Sequence, residues 1–102
     1  QGGTIAARYF MPWTTHPTMA VTGSQCLASC ALTPGTIAHE LLPAPKTCPT
    51  AVVLEHPMGQ MEVVVDYDLN NEVFSHKSAG IVRTCRKLAQ GTVFIPKDIW
   101  AV

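Results

Sequence analysis

The stretch Val21-Thr22-Gly23-Ser24-Gln25-Cys26-Leu27-Ala28-Ser29-Cys30-Ala31-Leu32, closed by Thr33-Pro34-Gly35, decides how the rest of this chain is read. Cys26, Leu27, Cys30 and Ala31 recur at the spacing of one helical face. Thr22 or Ser24 is placed to cap the start, and Pro34-Gly35 marks the end. Small residues dominate and no charge interrupts them, so the helix is apolar nearly all round and is expected to be buried. A short helix buried on every side needs a wrapper. The fold expected is therefore α+β: a curled antiparallel sheet, a half-barrel, around one buried central helix.

The wrapper has candidates on both sides. Upstream, Thr4–Phe10 carries β-branched and aromatic residues up to Pro12, which predicts a strand. Downstream, Ala51–His56 is turned by Pro57-Met58-Gly59 into Gln60–Leu69. There Met61, Val63, Val65, Tyr67 and Leu69 alternate with Gln60, Glu62, Val64, Asp66 and Asp68. That period of two predicts a half-buried antiparallel hairpin. Asn70-Asn71 supplies another turn, and Val73-Phe74 opens a further strand.

Three segments are less decided. Gly35–Leu42 fits helix and strand equally, and Pro43, Pro45 and Pro49 then mark a surface loop. In Ala79–Gln90, Ile81, Val82, Cys85, Leu88 and Ala89 fit helical spacing with Gly91 as a C-cap, and strand alternation fits less well. Gly91–Pro96 predicts a short strand, and an apolar tail with Trp100 follows.

Composition limits the function classes. The 102 residues carry seven Lys+Arg against seven Asp+Glu, with 47% hydrophobic and 14% charged residues. One domain fits that length, and disorder does not fit that apolar content. No polybasic tract offers a nucleic-acid footprint, and runs such as Ala51–Leu54 are far shorter than the roughly 20 residues of a membrane helix. The charged fraction lies well below the roughly 25% of an ordinary soluble domain, so part of the surface is expected to be covered by something else. Glu55, Glu62, Asp66, Asp68 and Glu72 gather in the hairpin region, whereas Lys77, Arg83, Arg86, Lys87 and Lys97 crowd the last quarter. Both groups are expected to be solvated surface.

Cys26, Cys30, Cys48 and Cys85 have no export signal beside them, and Cys26-x3-Cys30 has no second close pair as a structural zinc site would. Buried, unpaired thiols in a cytoplasmic protein are expected, with no metal or organic cofactor. His39, His56 and His76 have no partner at metal-like spacing and are expected to be structural.

The mouth of the helix is able to hold an anion, although Thr22-Gly23-Ser24 on its own reads as a structural cap. The first N–H groups of a helix lack internal acceptors, and its macrodipole places about half a positive charge there. A carboxylate can bind to such a tip. Gly23 permits close approach to the backbone, and His16 lies on the loop before it. Arg83 and Arg86 are capable of bidentate carboxylate contacts, but a structural role covering an element edge is preferred for them.

Three stretches also resemble a known family, in order and at matching separations. Val21–Leu42, Leu54–Val63 and Ala79–Pro96 are similar to the elements "H…vTGa-c-a-a…pGT", "i-HP-G-v-v" and "RTAR-L--G-V-vP" of the C-terminal half of PrpF-family isomerases. Those enzymes act on 2-methylaconitate, aconitate and methylitaconate. The resemblance implies one half of a diaminopimelate epimerase-like fold, in which two halves, each a curled sheet around a helix, close on the substrate. On that basis residues 1–102 form a single domain, with 92–102 as a tail returning toward a missing N-terminal half.

The resemblance further implies a proton or double-bond shift in an aconitate-type unsaturated tricarboxylic acid, with His16, Thr22, Gly23 and Ser24 as the candidate substrate-binding residues, and it sets a strand over Ala79–Gln90 level with a helix. The proton-transfer lysine and cysteine of the family belong to the other half, so no catalytic residue is assigned here and the chain alone is expected to be inactive. Where diaminopimelate epimerase has a cysteine before the motif glycine, this chain has Thr22. The alternative is a non-catalytic binding module of the same fold that pairs with a second copy of itself.

Overall fold

The computed structural model describes residues 2–44 and 47–100. Its elements in chain order are β1 (Ile5–Ala6), α1 (Val21–Leu32), α2 (Ile37–Glu40), β2 (Thr50–His56), β3 (Gly59–Asn70) and β4 (Val73–Ile81). The sheet order is β1-β2-β3-β4.

β3 shows why the sheet forms. Met61, Val63, Val65 and Tyr67 are buried, while Gln60, Glu62 and Asp68 are exposed. Its pairing with β2 sets Val52 opposite Val63 and Leu54 opposite Met61, which brings the apolar members of both strands to one face. β4 continues the meander, with Val65 opposite Ala79 and Leu69 opposite Phe74. A register shift at Asp66/Tyr67 realigns the strands, and the Tyr67 and Phe74 rings stack with centroids 4.9 Å apart. The β3–β4 turn is made by Asn71 and Glu72 at φ 49° and 65°. Two left-handed residues suit the right-handed twist of a hairpin, although Glu72 holds a conformation that favours glycine.

β1 is different in kind. It pairs in parallel with β2, Ile5 opposite Leu54 and Ala6 opposite Glu55, so the sheet is mixed and not purely antiparallel as expected. The strand expected over Thr4–Phe10 is cut to two residues, because the chain beyond Ala7 turns away into a loop. Phe10 instead makes an isolated bridge to Thr15.

α1 packs on the apolar face of the sheet. Ser24, Ala28, Ala31 and Leu32 are its buried residues and form one stripe. Ala28 and Leu32 join Val52, Leu54, Val63, Val65 and Tyr67 in the core, with Ile5, Leu27, Leu42 and Ile81 against them. Val21, Thr22, Cys26 and Cys30 face outward. The sheet is open and covers one side of the helix, where burial all round was expected. Small residues on the inner stripe let the helix sit close, but small residues outside do not by themselves attract a second layer.

Beyond α1, Thr36 caps α2 by accepting the His39 N–H at 3.1 Å. The His39 ring meets the Ala31 carbonyl at 3.1 Å, so His39 ties α2 to the end of α1. The undecided Gly35–Leu42 segment thus resolves as a short helix. Of the proline loop after it, Pro45 lies outside the described residues.

The last quarter departs most from expectation. Ala79–Ile81 complete β4, but 82–90 form neither helix nor continued strand, and 91–96 form no strand. Residues 82–100 are exposed throughout, Phe94 at 90% and Leu88 at 83%. The radius of gyration, 18.8 Å, exceeds the roughly 13 Å of a compact domain this long because of this arm. Arg83 and Arg86 are exposed on it, Arg83 directly after Val82, whose N–H still donates to the Glu62 carbonyl of β3 at 3.0 Å. The expected tail is described to Trp100, with Ala101 and Val102 outside the described residues. All four cysteines are free and exposed, contrary to the buried thiols expected. No helix among the described residues is long and apolar enough to cross a membrane.

Candidate functional site

α1 begins earlier than a cap at Thr22 or Ser24 would place it. Ala20 is the N-cap, no side chain caps the turn, and the first turn holds no acidic residue. Thr22 and Ser24 therefore lie inside the helix and do not cap it. The first intrahelical bond runs from the Ser24 N–H to the Ala20 carbonyl at 2.8 Å. The amides of Val21, Thr22 and Gly23 precede it and have no acceptor within the helix. With no carboxylate in the first turn, the positive end of the helix dipole is left uncompensated by its own side chains.

The four candidates occupy distinct positions around this tip. Thr22 is exposed on the outer face. Ser24 is fully buried, and its hydroxyl donates to the Val21 carbonyl at 2.7 Å, so it braces the first turn from within. Gly23 lies under the Tyr9 ring: a Cβ there would stand 3.1 Å from Tyr9 Cε2. The close approach that this glycine permits is thus by an aromatic side chain. His16 is half-buried and meets the same ring edge-on, with centroids 6.0 Å apart. Its Nδ1 accepts the Thr18 N–H at 3.0 Å, which leaves Nε2–H as the available donor.

Tyr9 is the residue that sequence reasoning missed. It joins the His16 loop to the helix tip, and the His16 N–H donates to the Tyr9 carbonyl at 2.8 Å. No periodicity marks a ring that rests on a glycine so far along the chain. Met19, buried at the foot of the loop, anchors the approach to α1.

Topology fixes which end of the molecule this is. β1 and β2 run in parallel and α1 lies in the connection between them. Leu32 at the end of α1 borders one depression with Thr4, Thr50 and Val52, near the starts of both strands. The tip of α1, touched by Tyr9, therefore shares the opposite end with the C-terminal ends of β1 and β2. Ligands of parallel strand pairs bind at that end, beside a helix N-terminus.

Cys26 and Cys30 border a groove of about 550 Å³ between α1 and β4, together with Phe74 and His76. Among the described residues, no three His, Cys, Asp or Glu side chains come together as metal ligands.

Comparison with known proteins decides the family. The model of the PrpF protein family matches residues 3–96. The chain belongs to the PrpF family. Two curated PrpF-like relatives carry named activities. One is a (4E)-oxalomesaconate Delta-isomerase from Novosphingobium sp. (strain KA1), 36% identical over 94 residues, which are 92% of this chain and 26% of the relative. The other is a 4-oxalomesaconate tautomerase from Pseudomonas putida, 34% identical over 99 residues, 97% of this chain and 26% of the relative. The chain spans about a quarter of the length of these PrpF-like proteins.

Proposed function

We propose that this chain is the carboxylate-binding part of a PrpF-family isomerase that shifts a proton or double bond in an unsaturated polycarboxylic acid, of the aconitate type or of the oxalomesaconate type on which the relatives are named to act. The observation that carries this reading is the uncapped, acid-free first turn of α1. The Thr22 and Gly23 amides and the His16 Nε2–H receive a carboxylate, and Ser24 holds the turn in shape. When an allylic proton leaves, negative charge spreads onto that carboxylate, and fixed amide dipoles hold it without reorganising. The proton-transfer groups are supplied by the remainder of the enzyme, so residues 1–102 alone are inactive. The enzyme is expected to work in the cytoplasm with no metal or organic cofactor.

The test is Thr22→Asp in the whole gene product that contains these residues. A carboxylate in the first turn stabilises the helix by about 0.3–1 kcal/mol and competes with the substrate's own. The expected outcome is unchanged or higher stability with kcat/KM on cis-aconitate or oxalomesaconate lowered ~100-fold. Undiminished activity overturns the reading.

The exposed arm favours a related proposal. Val93, Phe94, Ile99 and Trp100 present apolar surface with no cover among the described residues. We infer that residues 92–102 return to pack on the N-terminal half of the enzyme, in the epimerase-like two-half architecture that the family resemblance implies. The alternative is that two copies cover each other as a non-catalytic module. Sedimentation of the 102-residue chain separates them: a monomer at micromolar concentration removes self-pairing.

A further inference from the structure

A depression of about 610 Å³ is lined by Arg8, Glu55, His56, Pro57, Gly59 and Gln60. Its position follows from the parallel pairing. Ala7 N–H donates to the Glu55 carbonyl at 2.9 Å, so Arg8 emerges beside His56 as both strands end. Gly59, at φ 138°, turns the chain back in a conformation that a side chain would strain.

Arg8, Glu55 and His56 each have a set direction there. His56 Nδ1 accepts the Met58 N–H at 3.2 Å, which orients the ring and leaves Nε2–H as the donor. Arg8 spends one guanidinium N–H on the Ala7 carbonyl at 2.8 Å and keeps the others of its fork. Glu55, the one acid in the lining, accepts the Gly3 N–H at 2.8 Å. A Cβ on Gly3 would overlap the Glu55 side chain, so the glycine lets the acid fold toward the start of the chain. Glu55 keeps its negative charge in that bond, so the lining sets one anion against one cation, and Arg8, His56 and Gln60 are the donors at the rim of an open cavity. Arg8 directly precedes Tyr9, whose ring lies over the tip of α1, so the depression shares the ligand end of the fold.

We propose that Arg8 and His56 form a second carboxylate-binding site, which selects polycarboxylic acids over acids with a single carboxylate. This deepens the proposed function and rests on that reading for its ligand class. Arg8 pairs bidentately with the second carboxylate and His56 Nε2–H donates to it. An acid without that group leaves a cationic fork unpaired at the site.

The experiment is a titration of the whole gene product containing these residues, followed by nitrogen–proton correlation spectra, with tricarballylate, acetate and inorganic phosphate as probes. Tricarballylate is expected to move the Arg8 Nε and His56 Nε2 signals at concentrations where acetate does not, and Arg8→Gln or His56→Gln is expected to weaken its binding at least tenfold. Preserved β2–β3 amide signals show that each variant is folded. Unmoved Arg8 and His56 signals overturn the proposal, as does an equal response to phosphate. Movement of the Thr22 and Gly23 amides alone leaves the proposed function standing and removes this site. Movement of Arg8 and His56 alone keeps this site and removes the helix-tip reading.

Discussion

Residues 2–44 with 47–81, and residues 82–100, are both rich in apolar side chains, yet one region is packed and the other is bare. In the first, alternation along β3 meets a complementary alternation along β2, and α1 adds a stripe of matching period. In the second, Val93, Phe94 and Ile95 stand in sequence with nothing opposite them. Apolar content supplies a driving force for burial, but only a partner surface of matching period realises it.

The largest effect that tests this contrast is a pair of truncations. Leu54→Ala is expected to cost about 3 kcal/mol in urea unfolding, since a fully buried side chain leaves a cavity. Phe94→Ala in the same chain is expected to stay within about 0.5 kcal/mol. An equal loss from both breaks the distinction. In the whole gene product, Phe94→Ala becomes costly if the arm docks as proposed.

Within the packed region the turn at Asn71-Glu72 is a weak point. Glu72→Gly is expected to stabilise by about 1 kcal/mol, because glycine takes the left-handed conformation without a Cβ penalty. A lower urea midpoint would count against that strain.

Gly23→Ala tests the helix tip. The gain in helix propensity, up to about 1 kcal/mol, is offset by the displacement of Tyr9, so the single change is expected to be nearly neutral. Combined with Tyr9→Ala, the gain should reappear; additive effects of the two changes would show that the ring does not rest on that glycine.

The smallest effect concerns the Lys77–Asp68 pair, 2.8 Å apart and exposed on the meander. Its hydrogen bond from Lys77 to Asp68 raises the lysine above its ordinary range. Such a contribution is present below that range and fades as pH climbs through the raised value. Asp68→Asn should return the Lys77 titration toward its ordinary position, read by NMR at Nζ, with no measurable change in stability.

The parts of the fold that were legible in the sequence are those fixed by local pattern. The β2–β3 hairpin follows from alternation, the β3–β4 turn from Asn70-Asn71, and α1 from the spacing of its small residues. What failed was long-range. Ile81, Val82, Cys85 and Leu88 have helical spacing, but a periodic face without a surface to lie on does not hold a helix. The parallel pairing of β1 depends on Leu54 and Glu55, far along the chain, and no signal near Ile5 announces it. At the candidate site, His16, Thr22, Gly23 and Ser24 were picked out because helix tips have a recognisable composition, and their part in binding is a proposal. Tyr9, Arg8 and His56 were not, because their juxtaposition is a product of that same parallel pairing.

The brevity of β1 has a consequence for how the molecule assembles. The β2-β3-β4 meander closes through neighbouring turns, whereas β1 must wait for a strand encoded half a chain later before its two residues can be zipped in place. Thr4 N–H to Val53 O and Ala7 N–H to Glu55 O hold it there, at 2.8 and 2.9 Å. Fraying of that short edge would scatter the groups proposed to bind ligand while the meander stays intact, so amide exchange at Ala7 should outpace exchange at Val63 by orders of magnitude.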